Sequence, residues 1–256
     1  MNQMPKIIIL AAGKGERIMP LTQNTPKPLL DLGHGKTLFE EQLENIKKSN
    51  VIGEVNLVIG YLADQVEAKM GFWRQNGTAI NTVFNPFYEN SNNLISLWLA
   101  KNHMDSDFII TNGDNLFNSE VFETLINNHQ GREGIFLAVC KGEKYGADDM
   151  KVVVDSSGSL ARVSKLIGGD QANGESVGLV LVAGQKYREL FKQNLEELAR
   201  NKEYINKYWL EVFNLMVSKG IPVYTFLIDR SKWQEIDVHP DLENLRIKFR
   251  QNNQTS

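Results

Sequence analysis

Cysteine is nearly absent: Cys140 is the only one in 256 residues. That excludes an internal disulfide and a cysteine-rich zinc site, and it leaves Cys140 as a small buried hydrophobe at a strand end. No apolar run approaches the length needed to span a bilayer, and no secretory leader is read. The expected location is therefore cytoplasmic, without membrane insertion. Excess charge is lacking too. A net charge of −3 and a pI near 5.9 argue against a general nucleic-acid binder, so any strong positive potential must be focused in one cleft. Internal repeats, low-complexity stretches and linkers are missing. What remains is an ordinary globular composition, 42% apolar and 23% charged, in a chain long enough for a sizeable core.

The most informative stretch runs from Ile7 to Leu30. Ile7-Ile8-Ile9-Leu10 reads as a buried strand. Ala11-Ala12-Gly13-Lys14-Gly15-Glu16-Arg17 follows at once. Small residues let a ligand approach the backbone, and inward-pointing N–H groups in such a loop can cradle phosphate oxygens. Lys14, Arg17 and Lys27, the last between two prolines, add positive charge. A Gly-x-Gly turn alone is weak evidence. Here it is followed in order by Pro20-Leu21-Thr22 and Pro26-Lys27-Pro28, which favours a nucleotide site.

Further along, helical spacing of Leu38, Phe39, Leu43 and Ile46 predicts an amphipathic helix over Thr37 to Asn50. Strands are expected at Val55 to Ile59, Thr82 to Asn85 and Phe108 to Asn112, with helices at Ala63 to Met70 and Ser91 to Asn102. Alternation of this kind implies parallel strands with helices on both faces, and ligands then sit beyond the carboxyl ends of the strands. The second half reads as strands at Gly134 to Cys140, Met150 to Asp155, Leu160 to Ser164, Ser176 to Ala183 and Pro222 to Leu227. Helices are expected at Lys186 to Asn201 and Asn206 to Ser218, and Asp155-Ser156-Ser157-Gly158 is a hairpin signal. The expected fold is α/β: a Rossmann-like, mixed but mainly parallel central sheet with helices on both faces and a small α+β insertion over the site. One domain is expected over residues 1–250. Residues 1–133 are expected as its nucleotide-binding core, 134–250 as the part that carries Asp237 and completes the site, and 251–256 as a frayed tail.

Asp114 closes Thr111-Asn112-Gly113-Asp114 at a strand end, and Asp237 follows the last strand in Trp233-Gln234-Glu235-Ile236-Asp237. Residue type alone leaves each as a turn former or a metal ligand.

The segment from Leu10 to Leu29 resembles the signature of the sugar-phosphate nucleotidyltransferase superfamily, roughly L-A-A-G-x-G-[TS]-R-L-x-P-L-T-x-x-x-P-K-x-L. It matches at Leu10, Ala11, Ala12, Gly13, Gly15, Arg17, Pro20, Leu21, Thr22, Pro26, Lys27 and Leu29, and departs at Glu16 and Ile18. A carboxylate beside a triphosphate is unfavourable, so Glu16 is expected to face away. The resemblance implies a Mg²⁺-dependent nucleotidyltransferase. Asp114, with Gly113 before it, and Asp237 would hold the metal. Loop residues Leu10 to Gly15 with Arg17 would hold the nucleotide phosphates, Lys27 would bridge acceptor and α-phosphate, and Lys165 would be a second phosphate lysine. Lys151 is a further candidate.

Tyr88 to Leu97 resembles the bacterial phosphocholine cytidylyltransferase subgroup: a Tyr, a polar run with paired Asn, then Ser before Leu. The resemblance implies Asn92, Asn93 and Ser96 on the base. Tyr208-Trp209-Leu210-Glu211 resembles the same subgroup and implies acceptor contacts from Tyr208, Trp209 and Glu211, against a core-packing reading for Trp209. Asp148-Asp149-Met150-Lys151-Val152 and Glu175-Ser176-Val177-Gly178 resemble segments of related cytidylyltransferases. The expected partners are CTP and a small phosphorylated or phosphonate acceptor, and a homo-oligomer is left open. The alternatives are a sugar-1-phosphate nucleotidyltransferase using UTP, dTTP or GTP, and a non-catalytic nucleotide-binding module. A dinucleotide oxidoreductase fails on the spacing of its glycines.

Overall fold

The computed structural model describes residues 4–74, 79–129 and 131–254. The chain runs β1 (Lys6–Leu10), α1 (Leu38–Ser49), β2 (Glu54–Ile59), α2 (Ala63–Arg74), β3 (Ala79–Phe84), α3 (Asn93–Leu99), β4 (Phe108–Asn112), β5 (Asn115–Phe117), α4 (Ser119–Asn128) and β6 (Gly134–Cys140). It continues with β7 (Lys151–Val154), β8 (Leu160–Ser164), β9 (Gly174–Ala183), α5 (Gln185–Ala199), α6 (Glu211–Ser218), β10 (Tyr224–Ile228), β11 (Trp233–Glu235) and α7 (His239–Gln254).

The main sheet has the order β10-β6-β9-β4-β1-β2-β3. β1, β2, β3 and β4 are parallel; β9 is antiparallel to β4 and β6, and β10 is parallel to β6. β7 pairs with β8 and with the start of β9, forming the insertion, and β5 pairs with β11 in a separate ribbon. The mixed, mainly parallel sheet is thus as expected, with β9, and β8 in the insertion, running against the others among the described strands.

β1 shows why the sequence builds two layers of helix. Side chains alternate along a strand, so Ile7 and Ile9 enter one core while Ile8 and Leu10 enter the other. The first core receives Phe39, Leu43 and Ile46 of α1, Trp73 of α2 and Phe122 of α4. The second receives Leu94 and Leu97 of α3, Phe191 of α5 and Phe213 of α6. Each such buried side chain contributes roughly 1.5–3 kcal/mol. A third, smaller cluster packs Leu242 and Leu245 of α7 on Ile18, Leu30 and Ile236. It ties the glycine loop and the Lys27 segment to the strand that leads to Asp237.

Local signals set several boundaries. Thr37 and Glu40 form a capping box at the start of α1, and Asn50 closes it in the left-handed conformation. Asp155 accepts from Ser157 N and Ser159 N in the β7–β8 turn. Some boundaries differ from expectation. The helix expected from Asn206 begins at Glu211, because Asn93 Oδ1 holds Trp209 N at 2.9 Å in the turn before it. α4 and α7 were not anticipated. α7 runs to Gln254, through residues expected to fray, while residues 255 and 256 lie outside the described part. Among the described residues no helix is long and apolar enough to cross a membrane.

Candidate active site

The carboxyl ends of β1 and β4 lie side by side, with Leu10 paired to Asn112, and both chain segments turn there into one cavity of about 740 Å³. Gly113 permits this approach: a Cβ there would fall 2.6 Å from Ala11 Cβ. Gly15 takes a φ of 65°, which favours glycine, and its carbonyl accepts from Thr22 Oγ1 at 2.8 Å. Leu10, Ala11, Ala12, Gly13, Lys14, Gly15 and Arg17 all line the cavity. Glu16 is exposed at its edge. Lys14 pairs with Glu89 at 2.8 Å.

Beside this loop the cavity brings together residues far apart in sequence. Lys27 Nζ donates to Asp114 Oδ2 at 3.0 Å and lies 3.7 Å from Asp237 Oδ1. Arg17 Nη1 is hydrogen-bonded to Asp237 Oδ2 and lies 3.8 Å from Asp148. Only 12% of the Lys27 side chain is exposed. The two cations neutralise the two carboxylates, and Asp114 Oδ1 is left buried with no hydrogen-bond partner among the described residues. Asp241 Oδ2 accepts from Asp237 N and Val238 N at 2.9 Å each, which fixes the backbone under Asp237.

Glu235 stands beside them. It is open to water in the cavity yet crowded by its walls. That crowding, then the charges of Asp114 and Asp237, push its carboxyl from an ordinary 4.5 up to about 7. No set of three or more His, Cys, Asp or Glu side chains among the described residues is arranged to hold an ion by itself. Mg²⁺ needs fewer protein ligands, since it takes one or two carboxylates plus substrate phosphates and water. An orphaned hard oxygen on Asp114 beside Asp237 fits that donor set.

Asn92, Asn93 and Ser96 line the other end of the cavity with Asn85 and Tyr88. Each already has a local partner. Asn92 caps α3 by accepting from Asn93 N, Asn93 Oδ1 accepts from Trp209 N, and Ser96 Oγ accepts from Asn85 Nδ2. The Asn93 side-chain Nδ2 makes no hydrogen bond among the described residues.

The expected acceptor residues divide. Lys165 lines the cavity, 3.4 Å from Asp148 and 4.9 Å above the Tyr208 ring. Tyr208 lines it too. Trp209 is 1% exposed; it forms part of the wall, donates its indole N–H to Asn112 Oδ1 at 2.9 Å and packs edge-on against Phe213. It therefore offers no free ring face, and the core-packing reading accounts for it. Lys151 and Glu211 do not reach the cavity wall. Lys151 is 3% exposed and donates to Gly146 O and Asp149 O, clamping their loop. Glu211 accepts from Asn214 Nδ2 in the first turn of α6. Sequence reasoning assigned no role to Asp148, Asp149 or Glu175, which line the cavity beside Lys165. Glu175 is pushed above the ordinary carboxylate range by burial and by Asp149, against the pull of Arg230.

A family model described as nucleotidyl transferase matches residues 6–159. Over 249 residues the chain is 28% identical to the choline-phosphate cytidylyltransferase of Streptococcus pneumoniae, covering 94% of this chain and 96% of that one. It is 26% identical to the CTP:phosphoglutamine cytidylyltransferase of Campylobacter jejuni, covering 92% and 97%. The solved structure of the Streptococcus pneumoniae CTP:phosphocholine cytidylyltransferase matches with a TM-score of 0.72 at 22% identity, over 96% of this chain and 100% of that chain, a likeness of fold.

Proposed function

The chain belongs to the nucleotidyl transferase family, and from that membership we propose that it transfers CMP from CTP to a small phosphorylated alcohol or phosphonate, releasing pyrophosphate. The observation that carries the reading is Lys27 set between Asp114 and Asp237 beside the glycine loop, in one cavity. CTP as donor is supported by two relatives of nearly full length that are cytidylyltransferases.

An acceptor phosphate oxygen attacks the α-phosphorus in line, and the bond from that phosphorus to the pyrophosphate oxygen breaks. The acceptor is already an anion, so no base is required. The protein supplies positioning and charge. Backbone N–H groups of the loop from Ala12 to Gly15 face the β- and γ-phosphates. Arg17 and Lys27 exchange carboxylate partners for phosphate oxygens, and Lys27 draws the acceptor and α-phosphates together. Mg²⁺, held by Asp114 and Asp237 with phosphate oxygens and water, would neutralise charge on the phosphates. The Asn93 side-chain amide reads the base, a role its unbonded Nδ2 in the cavity wall supports. Across Asp148 from Arg17, Lys165 meets the acceptor phosphate, and the carboxylates of Asp148, Asp149 and Glu175 favour a positively charged acceptor tail.

The acceptor is tested with CTP and Mg²⁺ fixed while phosphocholine, phosphoethanolamine, 2-aminoethylphosphonate, glycerol phosphate and glucose-1-phosphate are varied. Cationic acceptors are expected to give kcat/KM values at least tenfold above glycerol phosphate. A preference for glucose-1-phosphate would contradict the acceptor assignment.

A further inference from the structure

Gln42 interrupts an apolar stripe. It lies on α1 among Phe39, Leu43 and Ile46 and is 6% exposed. A buried amide is costly unless hydrogen-bonded. Its Nε2 donates to Gly113 O at 3.1 Å and to Asn115 O at 2.8 Å. These are the carbonyls on either side of Asp114, and the Asp114 carbonyl itself accepts from Ile236 N at 2.9 Å. Asn115 pairs with Glu235 in the β5–β11 ribbon, and its side chain donates to Val177 O and accepts from Trp233 Nε1. Asp114 therefore stands on a peptide tied on both sides, and that peptide holds the strand leading to Asp237.

We infer that Gln42 is a positioning residue: its one amide clamps the backbone on both sides of Asp114 and so fixes the separation of Asp114 from Asp237. The inference rests on the proposal that these two carboxylates hold the metal. Gln42 acts only through the backbone. The clamp is stiff because α1 is anchored by its capping box and by Phe39, Leu43 and Ile46 in the core. Without the amide, two carbonyls lose their shared donor and the Asp114 peptide is free to shift. Groups that orient metal ligands from behind typically carry 10–100-fold in metal affinity or activity.

The test compares the full chain with Gln42→Met, which keeps length and loses both donors. Asn194→Leu is the control, at another buried amide, on α5 away from the cavity, which donates to Leu190 O and accepts from Lys219 Nζ. Mn²⁺ affinity in the presence of CTP is measured by calorimetry, alongside thermal melting and the Mg²⁺ concentration for half-maximal rate. Both variants are expected to melt lower. Only Gln42→Met is expected to weaken Mn²⁺ binding and raise the Mg²⁺ requirement, each by about 10–100-fold, with CTP affinity in EDTA unchanged. A lower melting point with wild-type Mn²⁺ affinity would overturn the inference and leave Gln42 a core residue. Should Gln42→Met fail to fold, Gln42→Asn, whose amide is one methylene short, is expected to weaken Mn²⁺ several-fold, and wild-type affinity there overturns the inference equally. A wild-type protein that binds no Mn²⁺ with CTP and turns over without divalent metal removes the metal reading itself. A metal-dependent wild type beside an unaffected Gln42→Met removes only the role of Gln42.

Discussion

Asp114→Asn is expected to lower kcat by about 10³-fold or more, which is about 4 kcal/mol of barrier, while the protein stays folded. The carboxylate is the hub of the cavity. One oxygen holds Lys27 at 3.0 Å, and the other is buried without a partner. Asn keeps the shape and removes the charge that a metal needs. Asp237 and Glu235 crowd the same region, and burial, then the charges of Asp114 and Asp237, push the Glu235 carboxyl up. Removing one negative charge there relieves repulsion with Asp237 and Glu235 but weakens the Lys27 ion pair, so the melting temperature should change little even as activity disappears. Loss of rate without loss of stability is characteristic of a functional carboxylate. Steady-state kinetics and a melting curve on one preparation check it, and near-normal turnover would remove Asp114 from the chemistry.

A second large effect separates two lysines that look alike in sequence. Lys27→Ala is expected to lower kcat by about 10²–10³-fold, or about 3–4 kcal/mol of barrier, with little change in folding. Lys27 sits between two carboxylates at the cavity, on a segment that proline stiffens on both sides. Lys151→Ala should do the reverse. Its ammonium is buried and satisfies the Gly146 and Asp149 carbonyls, and losing such charged hydrogen bonds costs about 1.5–3 kcal/mol of stability. Its kcat should stay within a few-fold of wild type. Denaturant titrations and kcat for both variants read the contrast, and a larger rate loss in Lys151→Ala would reverse the assignment.

These lysines also mark what a sequence can carry. The glycine loop and the β7–β8 turn were legible because each is written within about a dozen residues. Leu160–Ser164 was bounded correctly for the same reason. Which side of the sheet a residue meets, and what waits there, depends on pairing between distant strands. Lys151 and Lys165 are both lysines at the ends of one hairpin, paired through Lys151 and Ser164. Only packing of β7 on β9 decides that the first is buried and the second lines the cavity. Trp209 fits an aromatic acceptor contact by sequence neighbours alone, and the core reading needed Asn112 and Phe213 beside it. Asp148 and Glu175 lay in segments already marked by resemblance. Their common place in the cavity appears only once β7 lies against β9.

The most direct test of the central claim is pyrophosphate release with Mg²⁺ and a mixture of the five acceptors, comparing CTP, UTP, dTTP, GTP and ATP. The account predicts turnover with CTP at a rate at least tenfold above any other nucleotide, and its loss in Asp114→Asn. Turnover led by dTTP or UTP would contradict the cytidylyl assignment and with it the role given to Asn93.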